Sequence, residues 1–176
     1  MSFFPGAIAG LKAVAAAACA VLLVGCSNAA PGVAAYVGDA QITQRQVESA
    51  VAAISGTVGE GQAVSSDAVV NAMIQGELSA QIAQERKIAI TDGQRDTFLK
   101  TTNLAPLLNV AGAKSVAYDV ADQQIVLTKL GEAAYIAELE KRKVTLNPRY
   151  GVLDPKQKTV VEGQTGSLSQ PAQQTP

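Results

Sequence analysis

The chain has 176 residues, with 14 Lys and Arg against 15 Asp and Glu and a formal net charge of −1. That balance offers no electrostatic draw to nucleic acid. The complete absence of histidine removes Ser-His and Cys-His nucleophile pairs, imidazole acid–base chemistry and the commonest zinc ligand.

The N-terminus reads first as an export signal. Residues 1–25 carry one cation, Lys12, no acid, and an apolar run of thirteen residues from Ala13 to Gly25. A membrane-spanning helix needs roughly 20 such residues, whereas a cation, a short apolar stretch and a small residue before a cut site describe a signal peptide. Leu23-Val24-Gly25-Cys26 resembles the lipobox of bacterial lipoproteins. The resemblance implies cleavage between Gly25 and Cys26 and transfer of a diacylglyceryl group to the Cys26 thiol. Cys19 follows Ala16-Ala17-Ala18, lacks the branched residue three positions back and would halve the apolar run. One acyl chain holds a protein to a bilayer only marginally and two hold it stably, at ~0.8 kcal/mol per buried methylene, so Cys26 is the expected anchor. Residues 26–33 read as a short tether of small and polar residues. Without the signal, 151 residues remain, with 13 cations against 15 acids and Cys26 as the sole, capped cysteine. No disulfide is then expected, although the compartment permits one. Phe3 and Phe4 also leave, which strips the mature chain to one Phe, four Tyr and no Trp. Its core must rest on Ala, Val, Leu and Ile, and that suits packed helices.

The elements follow in order. Residues 34–43 form two short apolar runs around Gly38-Asp39, a hairpin signal. Thr43-x-x-Gln46 is a capping box, flanked by Ile42 and Val47 as a hydrophobic staple. The helix after it places Val47, Ala50, Val51 and Ile54 on one face and ends at the glycine-rich loop 55–62. A second helix over about 67–87 carries Val70, Ile74, Leu78 and Ile82 at strict four-residue spacing, with Met73 alongside. Ile90-Thr91-x-x-Gln94 repeats the earlier cap and starts a third helix. Pro106 limits 104–111 to a short helical turn. The longest candidate runs from Lys114 to about Lys143, ~45 Å if continuous at 1.5 Å per residue, with Val116, Val120, Leu127, Leu130, Ala134 and Ala137 as its buried face. Gly131 weakens it by ~1 kcal/mol relative to Ala and marks a bend. Lys141-Arg142-Lys143, preceded by Glu138 and Glu140, reads as the cationic end of that helix. Residues 144–154 read as a strand ended by Pro148, then a turn. From Gln157 the composition is that of a disordered tail.

Chemistry-bearing patterns are sparse. Gly56-x-x-x-x-Gly61 matches the front half of a phosphate-binding loop, but Gln62-Ala63 stands where Lys-Ser/Thr is required and Glu60 would repel phosphate. Asp119 and Asp122, three apart on the long helix, could share a metal or a proton, yet their spacing reads as a solvated face. Arg149 is expected to pair with an acid such as Asp154, and Tyr150 to cover the core. A hydrolase using Ser and Lys without histidine has no motif behind it. No catalytic residue, metal site or cofactor is expected.

The stretch 34–51, AAYVGDAQITQRQVESAV, resembles the opening of the SurA N-terminal domain family, the chaperone module of extracytoplasmic foldases, with Gly38-Asp39 in place of the usual Asn-Gly. The closing Asn147-Pro148-Arg149-Tyr150-Gly151 looks like the strand end of such domains in bacterial lipoproteins. The resemblance covers roughly residues 33–154. It implies a mainly α fold whose N- and C-terminal strands meet in a small two- or three-stranded β element, with residues 34–154 as the domain and 155–176 as the tail. It also implies apolar surface for unfolded or newly exported polypeptides, without the parvulin isomerase of larger members, for which no segment has room. Phe98, Leu99, Leu104, Leu107 and Leu108 are more apolar than a loop around Pro106 needs and are the candidate client contacts, with core filling as the alternative. The competing function is a non-catalytic adaptor for one folded envelope protein. In either case the lipid on Cys26 would place the domain on the extracytoplasmic face of a membrane.

Overall fold

In the computed structural model, residues 30–57 and 64–161 are described; the signal segment, Cys26, most of the glycine-rich loop and residues 162–176 lie outside them. Strands β1 (Val33–Val37) and β2 (Ala40–Thr43) pair antiparallel across Gly38-Asp39, with Gly38 at φ +58°, a conformation glycine adopts without a steric cost. Strand β3 (Val144–Leu146) pairs antiparallel with the other edge of β1, giving the order β2-β1-β3. The two ends of the domain therefore meet in one small sheet, as expected. Asn147 fastens the junction. Its amide nitrogen donates to the Val33 carbonyl at 2.9 Å, its backbone N–H to the Ala34 carbonyl at 2.8 Å, and its side-chain oxygen accepts from the Arg149 N–H at 3.0 Å.

Both predicted capping boxes form. Thr43 opens α1 (Gln44–Ser55), its hydroxyl accepting from the Gln46 N–H at 3.2 Å while the Gln46 side chain accepts from the Thr43 N–H at 2.7 Å. Thr91 and Gln94 make the same reciprocal pair at the start of the third helix. Between these lies α2 (Ser66–Arg86), the centre of the fold, which touches α1, β1 and β2 as well as the later helices. Its predicted row of Val70, Ile74, Leu78 and Ile82 is fully buried, which is what period-3.6 patterning implies for a helix enclosed by neighbours. The third helix, α3 (Asp92–Leu99), leads into a 3₁₀ turn at Ala105–Asn109 around Pro106.

The predicted helix over 114–143 is two helices, α4 (Lys114–Leu130) and α5 (Glu132–Glu140). Gly131 separates them at φ +80°, ψ 154°, outside the helical region, so its effect is a break and not a bend. The break resets the helical phase. Ala134 and Ala137, expected inside, are exposed, while Tyr135, Glu138 and Leu139 face inward.

The ordered chain also extends past the expected start of the tail. Strands β4 (Val152–Leu153) and β5 (Val160–Val161) form a hairpin that α2 holds through polar side chains. Gln75, 1% exposed, donates to the carbonyls of Gln157 and Lys158 at 3.1 and 2.8 Å, and Asn71 accepts from the Val160 N–H at 2.8 Å. Tyr135 and Gln123 hydrogen-bond the Gln75 oxygen, and Ser79 bonds Tyr135. Such bonds compensate a buried amide that would otherwise cost about 1–3 kcal/mol, and composition alone carries no trace of them. Val152 and Val161, directly opposite across the hairpin, are both exposed.

Two contacts set the helix arrangement. At Gly76, α2 has no room for a side chain against α4: a β-carbon there would lie 2.3 Å from the Asp119 β-carbon. At the far end of α2, Glu138 of α5 is buried and accepts hydrogen bonds from Arg86 and Lys141, while Arg142 grips Glu85 with two nitrogens at 2.9 and 2.7 Å. The Arg86 and Lys141 hydrogen bonds hold the Glu138 carboxyl down at about 2.

Gly76→Ala should therefore destabilise the domain by about 2 kcal/mol in urea unfolding, because forced overpacking outweighs the ~1 kcal/mol that alanine gains in helix propensity. Glu138→Gln should lower stability at pH 7. A carboxyl with a depressed folded-state pKa stabilises above its unfolded value and loses that contribution as protons bind in the native state. The gap between variant and wild type should thus close as pH falls from 4.5 towards 2, read as the difference in Tm.

Candidate functional site

A groove of about 620 Å³ is bounded by β2, α1, α2 and the first turns of α4. Its apolar lining comes from Ile42 and Ala50, which are buried, and Met73, which is half-buried. Exposed Arg45, Gln46, Ser49 and Ser115 line it towards solvent. The local sequence explains the placement. The Thr43 cap fixes where α1 begins, so Gln46, Ser49 and Ala50 recur at helical spacing along the groove. Met73 lies one turn before Gly76 on α2, beside the point where α4 comes closest.

Asp119 of α4 also lines the groove. Its carboxyl lies against the Gly76 backbone, with Oδ1 2.4 Å from where a β-carbon would sit. Among the described residues no donor hydrogen-bonds it; of the hydroxyls before it on that helix, Ser115 donates to the Gly112 carbonyl and Tyr118 to Asp96. Burial pushes the Asp119 carboxyl up to about 8, reinforced by the negative charges of Asp122 and Glu77 and opposed by Arg95. The group is therefore mostly protonated at neutral pH.

Asp122 behaves differently and is not a partner of Asp119 in a shared site. Arg95 of α3 clamps it with two nitrogens at 2.6 and 2.9 Å and also reaches Asp92 at 2.7 Å. Neither aspartate sits on the solvated face that their spacing suggested, since Asp122 is 7% exposed and Asp119 is half-buried. The helical positions are the cause: Asp119 and Asp122 continue the face of Val116, which packs inward. The Gly76 that makes room for Asp119 was the available signal, because a glycine inside a helical pattern marks close approach. Among the described residues, no group of three or more His, Cys, Asp or Glu is arranged to hold a metal ion.

The predicted client segment divides. Leu99 and Leu107 are core residues at 0% and 7% exposure and are not available as surface contacts, while Leu104 and Leu108 are half-buried against the core. The surplus of apolar residues around Pro106 is thus largely core filling, anchored by the 3₁₀ turn. Phe98 lines a cleft of about 600 Å³ between α3 and α4 that it shares with Ile125 among Thr, Gln and Lys side chains.

The closing motif is structural at Asn147, as described above, and at Tyr150, which is buried in the core. Pro148 begins the 3₁₀ turn at Pro148–Tyr150 and Gly151 follows at φ +124°. The expected Arg149–Asp154 pair does not form. Arg149 is exposed, and Asp154 instead accepts from the backbone N–H groups of Lys156 and Gln157 at 2.9 and 2.6 Å, turning the chain into β5. Gly25, Cys26 and the Gly61 end of the glycine loop lie outside the described residues, and no described helix is long and apolar enough to cross a membrane.

Comparison with protein families, curated proteins and solved structures yields no match for this chain.

Asp119→Asn should raise Tm at pH 8 and have little effect at pH 4. An acid whose pKa rises on folding binds protons more tightly in the native state, so its contribution is most favourable below the unfolded value near 3.8 and is lost as pH climbs to about 8. The stability difference between variant and wild type should grow across that window, as followed by thermal unfolding in a pH series.

Proposed function

We propose that this chain is a lipid-anchored extracytoplasmic protein, acylated at Cys26, whose SurA N-terminal-like domain holds extended segments of unfolded or newly exported polypeptides without catalysing a reaction on them. The reading rests on one observation above the others: the open groove in which Met73 meets Ile42 and Ala50. A flexible, polarisable methionine adapts to differently shaped side chains, and about 620 Å³ falls within the usual size of a ligand pocket, enough for a few side chains of an extended segment. The lipobox at Leu23–Cys26 and the resemblance at residues 34–51 and 147–151 supply the location and the class.

A second reading has its own support. An adaptor for one folded envelope partner would dock on exposed apolar side chains, and the cross-strand pair Val152 and Val161 is exposed.

The two readings separate in a single preparation. Membrane-extracted protein should begin at a diacylated Cys26 by mass spectrometry and should suppress aggregation of several unrelated unfolded substrates. Met73→Gln should reduce that suppression several-fold while Val152→Ser leaves it intact. Loss with Val152→Ser alone, together with retention of one partner only, supports the adaptor instead.

A further inference from the structure

The groove contains a feature that general polypeptide holding does not require, namely a carboxyl group to which no donor among the described residues hydrogen-bonds. Every other acid packed near it is engaged. Asp122 is taken by Arg95, and Glu77 accepts from the Gln81 side chain at 2.9 Å. Asp119 lines the wall beside Met73 and hydrogen-bonds nothing among the described residues. Arg45, on the opposite side at α1, is exposed and makes no ion pair with it. A half-buried carboxyl of this kind costs stability whenever it ionises, and a cation arriving with a ligand removes that cost.

Resting on the polypeptide-binding reading above, we propose that the groove selects segments carrying a lysine or arginine, whose cation pairs with Asp119 while the flanking apolar atoms pack on Ile42 and Met73. Basic side chains suit such a site because their aliphatic stems tolerate an apolar wall while the charged end reaches a polar group. The negative charges of Glu77 and Asp122 add to the field at Asp119 and favour a cation, while Arg95 and Arg45 oppose it. The pairing needs the ionised carboxylate, so a basic segment must displace the proton that Asp119 holds at neutral pH. Affinity should then rise with pH until Asp119 ionises unaided.

The test uses the acylated mature protein in detergent and fluorescein-labelled extended peptides identical except for a central Lys, Arg, Gln or Glu. At pH 7.5 the Lys and Arg peptides should bind about 10-fold more tightly than the Gln peptide, a difference of ~1.4 kcal/mol, and the Glu peptide most weakly. Affinity for the Lys peptide should increase from pH 6 to 8.5. In Asp119→Asn the Lys and Gln peptides should bind alike and without pH dependence, with the Gln affinity of the wild type retained as evidence of an intact groove. Equal binding of all four peptides to the wild type, or a Lys preference that persists in Asp119→Asn, overturns the proposal and leaves the polypeptide-binding reading standing. Binding of no peptide overturns both.

Discussion

Helix α2 approaches α4 so closely at Gly76 that no side chain fits between them, and the placement of the groove follows from that approach. A single β-carbon on α2 would meet the Asp119 β-carbon at 2.3 Å, well inside van der Waals contact. The glycine costs roughly 0.5–1 kcal/mol in an otherwise regular helix, a cost offset where the near contact lets Val116, Ala117 and Ala121 of α4 bury against the core. It also brings an aspartate into apolar surroundings. Protein interiors disfavour ionised groups without partners, so the packing of two helices and the unusual protonation of Asp119 have one origin.

Elsewhere charge is used in the ordinary way. Arg95 ties α3 to α4 through Asp122, with the Tyr118 ring 5.2 Å from its guanidinium carbon and the Tyr118 hydroxyl donating to Asp96 at 2.7 Å. Arg86, Lys141 and Arg142 surround Glu138 and tie α5 to the end of α2. These partly buried clusters fix where short helices sit, which a core of Ala, Val, Leu and Ile with few aromatic side chains does less specifically. Gln75 does the same for the C-terminal hairpin. The contrast isolates Asp119, which no donor among the described residues hydrogen-bonds.

Much of this was legible in the residues. The two Thr-x-x-Gln boxes fixed the starts of α1 and α3, since a capping box is a local device that needs no tertiary information. The four-residue row in α2 read correctly because that helix is surrounded, and Gly38-Asp39 read as a hairpin because turn chemistry is local too. What failed was non-local. Gly131 in a left-handed conformation turned one expected helix into two and rotated the buried face, an outcome decided by how α5 docks. The ordering of residues 157–161 depends on Gln75, more than 80 positions away, and the inward placement of Asp119 depends on a glycine on another helix. Leu99 and Leu107 looked surplus to a loop because Leu99 closes the short helix α3 and Leu107 sits in a 3₁₀ turn, an element with weak sequence signals.

The start of the sheet carries a geometric corollary. The Gln44 N–H donates to the Gly32 carbonyl, so the mouth of the groove at Thr43 and Gln46 lies beside the first described residues. Three residues, 27–29, separate Cys26 from Ala30, and an extended chain covers at most about 3.6 Å per residue. If Cys26 is acylated as proposed, that short reach would keep the Thr43 end of the groove close to the headgroups.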